Sequence, residues 1–207
     1  MSIRLRMSRA IYGHPHEAAG YGYVNVPKAA CTSIHAAIAL HHGTTFSPSP
    51  QTCSVKRIVS LRHLHWFSVV RHPCDRLVSL WADYLTPPYP TASLAVNPDL
   101  AYFVDWPFEA FVRAIVDREP GQANAHYMPQ TDLLYYLDTP LTDQLLHFET
   151  LAVEWEGLRE RCGVPALPHL RPSEHQPWQG MYSPDLLALV ARRYAADFEQ
   201  FGYKVEL

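Results

Sequence analysis

Two short stretches combine residue types suited to holding an anion. In the first, Lys28 follows a run of β-forming residues at 21–26 that ends at Pro27, and it precedes Ala29, Ala30, Cys31, Thr32 and Ser33. A helix is expected from about residue 32 to residue 42, with a stop at Gly43. Backbone amides at a helix N-terminus lack acceptors within the helix and carry partial positive charge, which favours phosphate or sulfate. Lys28 adds a full charge, Thr32 and Ser33 add hydroxyl donors, and the two alanines let an anion approach the backbone. The segment is no Walker loop, because G-x-x-x-x-G-K-[ST] is absent. The plainer alternative is a strand–turn–helix junction with Thr32 as N-cap and Lys28 in solvent.

The second stretch is FSVVRHPCDRLVSLW, residues 67–81. Arg71 stands where a buried strand at 66–70 ends, and its guanidinium is a rigid fork of donors suited to phosphate. In the helix that follows, Leu77, Leu80, Trp81 and Tyr84 fall on one apolar stripe. At about 100° per residue Ser79 lies opposite it, positioned to meet a ligand. The alternative is a surface serine and an arginine paired with Asp75 or Asp83.

The chain holds twelve histidines. His14-x-His16, His41-His42 and His63-x-His65 resemble fragments of a metal site. No C-x-x-C or H-E-x-x-H accompanies them, so no metal is expected.

The elements that must position these residues alternate between strand and helix. Strands are expected at 21–26, 66–70, 133–137 and 145–148. Residues 43–57 read as loop, and 85–104 as a proline-bearing excursion. Asp105 reads as the cap of a helix with Phe108, Phe111, Val112 and Ile115 inward. A helix at 150–162 stops at Gly163, and a last one starts at Ser183-Pro184. The pattern predicts an α/β domain with a mainly parallel central sheet, whose ligands sit beyond the carboxyl ends of the strands.

The 207 residues suit one domain, with 1–20 an N-terminal extension, 21–84 the anion-binding core, 85–182 loops and helices, and 183–207 a C-terminal helix. The net charge of −3 gives no global field for nucleic acid or an anionic membrane, so anion sites must be built locally. Cys31, Cys53, Cys74 and Cys162 are too few and scattered for a disulfide framework. No apolar run reaches the length of a signal-peptide core or membrane span, and the chain reads as cytoplasmic.

Together VPKAACTSI and VVRHPCDRLVSLW resemble the two cofactor signatures of sulfotransferases that use 3′-phosphoadenosine 5′-phosphosulfate (PAPS), especially the Golgi carbohydrate sulfotransferases of the chondroitin type. Weaker similarity continues through HYMPQTDLLYY, HFETL and DFEQFGY. The resemblance implies a P-loop-like three-layer fold with a mainly parallel sheet flanked by helices. It also implies sulfuryl transfer to an acceptor hydroxyl, glycan or small molecule, without a metal. By position, Pro27, Lys28, Ala29, Ala30, Cys31, Thr32 and Ser33 would line the phosphosulfate site, and Arg71 and Ser79 would hold the 3′-phosphate. Related enzymes close a late loop over the nucleotide, which makes Arg171 and Ser173 further candidates. The base that takes the acceptor proton would be His126, in the family's histidine-aromatic-x-Pro-Gln run, or His65 or His63, just before the Arg71 strand, or a carboxylate such as Glu149. Lys28 would stabilise charge on the leaving group. The rival reading is a non-catalytic PAPS- or PAP-binding module, PAP being the product left after transfer.

Overall fold

The computed structural model describes residues 10–44, 52–95, 97–119, 123–168 and 175–206. Strands β1 (Ala10–Ile11), β2 (Gly13–His16) and β3 (Tyr21–Val24) precede helix α1 (Cys31–His41). Next come β4 (Cys53–Ser54), α2 (Val55–Ser60) and β5 (His65–Val70). Helix α3 (Pro73–Leu80) runs into a π-helical turn, Trp81–Leu85. After it lie α4 (Thr91–Ala95), α5 (Pro98–Ala101), α6 (Phe108–Val116) and α7 (Gln130–Leu134). The chain continues through β6 (Tyr135–Tyr136), β7 (Thr139–Pro140), β8 (Gln144–His147) and α8 (Leu151–Cys162). It finishes with α9 (Pro184–Arg193) and α10 (Ala195–Phe201). The chain divides into two compact units, residues 1–70 with 132–171, and residues 71–131 with 172–207.

The first unit holds a four-stranded sheet in the order β2-β3-β5-β8. β3 and β8 pair parallel with β5, and β2 pairs antiparallel with β3. The sheet is thus mostly parallel, and helices flank it, as the α/β reading requires. Trp66, Phe67, Ser68, Val69 and Val70 of β5 are all fully buried, so both faces of this strand are covered. A strand buried on two faces reads as a continuous apolar run, which is why β5 stands out in the sequence. Ser68 is the polar exception, and its hydroxyl donates to the Val24 carbonyl at 2.6 Å. Gly22 lies opposite Trp66 in the register, where a Cβ would come within 2.5 Å of the indole. Helices α1 and α8 cover the face of Tyr23 and Phe67, with His35 5.5 Å from the Tyr23 ring and Trp155 6.0 Å from Phe67.

Two expectations change here. Residues 13–16, expected in an extension, form the antiparallel edge strand β2. It lacks the usual β-formers, and its histidine rings do the packing: His14 lies 4.5 Å from His35, and His16 4.6 Å from His42. Residues 53–60, largely expected as loop, form β4 and α2, with the Ser54 hydroxyl accepting from the Arg57 amide as N-cap.

The second unit is helical. Leu77 and Leu80 of α3 share a core with Phe103, with Phe111, Val112 and Ile115 of α6, and with Leu186 and Val190 of α9. α9 begins as expected, with the Ser183 hydroxyl accepting from the Leu186 amide and Pro184 in the first turn. Asp105 does not cap α6. That place is held by Pro107, while Asp105 takes a left-handed φ of 64° and its carboxylate accepts from the Tyr89 hydroxyl. Residues 133–137 are not a strand, since α7 ends at Leu134 and only Tyr135–Tyr136 is extended. Asp197 accepts from the amides of Gln130 and Thr131, each at 2.8 Å, and so caps the helix start. Proline-bearing residues 85–104 contain α4 and α5, with Leu100 and Phe103 buried.

All four cysteines are free thiols. Among the described residues, no helix is long and apolar enough to cross a membrane.

Candidate active site

In the first unit the chain leaves β3 and turns through Pro27–Ala30 before α1 begins at Cys31. Ala30, not Thr32, is the N-cap residue, and no side chain caps the helix. Cys31, Thr32 and Ser33 therefore make the first helical turn, and the ladder starts with the Ile34 amide donating to Ala30 at 3.1 Å. Lys28 (φ 70°) and Ala30 (φ 59°) are both left-handed, on either side of Ala29, which is not. Non-glycine residues avoid this region, and its use costs on the order of 1–3 kcal/mol each. Alternation in the sign of φ is the backbone pattern of an anion-binding nest, and in this turn the Ala29 amide donates to the Val26 carbonyl at 3.3 Å. Ala29 is fully buried. Asn25 steadies the strand end, its amide donating to the Tyr12 carbonyl at 2.7 Å and its side chain accepting from the Tyr23 hydroxyl.

The second unit starts at Arg71, whose side chain is 4% exposed. Its Nε donates to Asp75 Oδ2 at 2.8 Å, and its Nη2 donates to His175 Nε2 at 3.1 Å. The Asp75 pairing weighed as an alternative is thus present, within a semi-buried group. Ser79 is fully buried rather than presented on an open face. The stripe argument fails because α3 is buried all round: among Pro73–Leu80 only Asp75 keeps intermediate exposure.

Three residues not singled out from the sequence fix this region. Gln130, fully buried, accepts from the Arg71 amide at 2.9 Å and donates to the Arg71 carbonyl at 2.8 Å. Asp197 holds Gln130 in turn, as described above. Arg76, 1% exposed, donates to the carbonyls of Ala125 and Met128, each at 2.7 Å. The weak similarities HYMPQTD and DFEQFGY therefore contain a scaffold for Arg71. A polar residue inside each of those runs was the available signal.

His126 sits on the loop that Arg76 pins. Its Nδ1 lies 2.8 Å from Asn124 Oδ1, which also accepts from the His126 amide at 3.0 Å. An amide oxygen only accepts, so Nδ1 carries the proton and Nε2 is the basic nitrogen. Tyr84, from the π-helical turn, packs on the ring at 5.1 Å. His65 has a different place. It opens β5, paired with Tyr21 at the start of β3, and bonds Gln144 at 3.0 Å. The Lys28 turn follows the other end of β3, so the sheet separates His65 from it. Arg171 and Ser173 lie outside the described residues. Among the described residues, no group of three or more His, Cys, Asp or Glu is placed to hold a metal ion.

A mostly parallel sheet with a strained turn after β3 defines an α/β protein, a class whose ligands sit beyond the carboxyl ends of the strands. The sequence profile of the sulfotransferase family matches residues 21–204, from the first residue of β3 to beyond α10. The chain belongs to the sulfotransferase family, and its reaction is transfer of a sulfuryl group. No curated protein and no solved structure matches it.

Proposed function

We propose that the protein transfers the sulfuryl group of PAPS to a hydroxyl of a carbohydrate or small molecule, releasing PAP. The observation that carries this reading is the left-handed pair Lys28 and Ala30 at the head of α1, within the span matched by the family. In the proposed reaction the acceptor oxygen attacks sulfur in line. The new S–O bond forms as the bond from sulfur to the bridging oxygen breaks, and the electron pair stays on the 5′-phosphate of PAP. The nest and the Lys28 ammonium face the charge that develops there, where fixed donors contribute most. His126 Nε2 takes the acceptor proton. Arg71 and Ser79 hold the 3′-phosphate. Four free thiols suit a reducing compartment, in keeping with a cytoplasmic setting.

Thermal shift with matched concentrations of PAP and AMP tests the nucleotide assignment. PAP at a hundred times its Kd adds about 2.7 kcal/mol, and AMP adds far less. Arg71→Ala weakens PAP by about 2–3 kcal/mol and Ser79→Ala by about 1 kcal/mol, while adenosine 5′-phosphosulfate, which lacks the 3′-phosphate, binds both variants unchanged. Equal shifts from PAP and AMP overturn the assignment. Radiolabelled PAPS offered with a panel of sugars and phenols then identifies the acceptor.

A further inference from the structure

Beside Arg71 stands an imidazole whose hydrogen bonds fix its protonation state. His175 Nδ1 lies 2.9 Å from the Gln176 carbonyl, which can only accept, so Nδ1 carries a hydrogen. The other nitrogen, Nε2, lies 3.1 Å from Arg71 Nη2, and a guanidinium can only donate. Nε2 is therefore placed as a lone-pair acceptor toward the guanidinium. Asp75 completes the group, with Oδ2 on Arg71 Nε at 2.8 Å and Oδ1 3.9 Å from His175 Nε2. Arg71, His175 and Asp75 side chains are 4%, 10% and 18% exposed, so water screens them little.

A phosphate dianion arriving at Arg71 changes what this arrangement tolerates. The oxygen that displaces His175 from the guanidinium faces the Nε2 lone pair, and two acceptors repel. One proton on Nε2 reverses the sign, because imidazolium donates from both nitrogens. The Gln176 carbonyl keeps its bond, and the Asp75 carboxylate lies 3.9 Å from the nitrogen that gains the proton. We infer that His175 is a further ligand of the 3′-phosphate and takes up a proton when that phosphate binds. This rests on the reading of Arg71 as the 3′-phosphate site.

Three other titratable groups lie around the trio. Burial pushes the Cys74 thiol up to about 12 and the Tyr182 phenol well above its ordinary value, and both also lie in the field of Asp75. His72, next to Arg71 in the chain, points its Nε2 at the Lys204 carbonyl and stacks on Trp178 at 4.4 Å.

Calorimetry of PAP binding at pH 7.5, in buffers of different ionisation enthalpy, reads proton uptake directly. Wild type is expected to take up as much as one proton more than His175→Gln, whose amide donates without titrating. The phosphate's own ionisation contributes equally to both proteins and cancels in the comparison. Between pH 7 and 8.5 the PAP affinity of wild type falls by up to about tenfold per pH unit relative to His175→Gln. Adenosine 5′-phosphosulfate shows no such difference. Equal uptake in the two proteins, with PAP still preferred over AMP, overturns the role of His175 alone. Loss of that preference in wild type overturns the Arg71 site itself. A nitrogen-15 spectrum of wild type saturated with PAP gives a reading independent of any variant. Two protonated ring nitrogens on His175 support the inference, and a neutral ring overturns it.

Discussion

In the proposed reaction Lys28 and His126 divide the chemistry at the scale of single residues, and each division has a kinetic signature. The Lys28 charge matters most where the leaving group becomes more negative, so Lys28→Ala is expected to bind PAP yet lose about a hundredfold or more in kcat. A raised KM at unchanged kcat would instead make Lys28 a simple binding residue. His126→Ala should keep PAP affinity and lose about 10²–10⁴ in turnover, together with the acidic limb of the pH–rate profile. Retention of more than about a tenth of wild-type turnover excludes it as the base. At this scale the sequence was legible where chain neighbours set the backbone, as in the turn between β3 and α1. It was opaque where a residue's partner lies far away in the chain. Nothing near Gln130 announces that its side chain brackets both backbone groups of Arg71, and nothing near Ser79 reveals that α3 is enclosed on every side.

The elements divide in the same way. β5 was legible because a strand buried on both faces is a short apolar run, and α9 because Ser183-Pro184 is a local start signal. β2 was not, since His-Pro-His carries no apolar alternation and gains its packing from histidines on α1. Helix α7 shows the contrary case, in which a Leu-Leu-Tyr-Tyr run has β-forming residues but a distant carboxylate sets its start. Asp197 accepts from two amides and from the Thr131 hydroxyl at 2.9 Å, so its removal orphans donors in a buried place. Asp197→Ala is expected to cost about 2–4 kcal/mol in urea unfolding, several times the cost of an exposed cap. Because Asp197 also holds Gln130, PAP affinity should fall with it. A loss below about 1 kcal/mol would mean that water replaces the carboxylate.

For the molecule as a whole, the histidine-lined packing of β2 on α1 makes stability depend on pH. Burial lowers His14 from its ordinary 6.5 to about 3, and His16 and His35 to about 4, with neighbouring imidazoles adding to the effect on His14 and His16. The unfolded chain binds these protons from about pH 6.5 downward, whereas the folded one resists until about pH 4. Stability is therefore intact above pH 6.5 and falls as the pH drops through that window. His14 alone accounts for about 2 kcal/mol at pH 5. Melting temperatures at pH 7.5 and 5.0 should differ markedly, and less so in His14→Phe, and a flat profile would show that the cluster titrates normally. The Gln130 bracket on Arg71 has a consequence of another kind. The stretch from 71 to 130 begins and ends at one hydrogen-bonded point, like a purse closed by its string. Insertions and deletions between those ends can lengthen or reshape what the stretch carries without changing where the chain leaves β5.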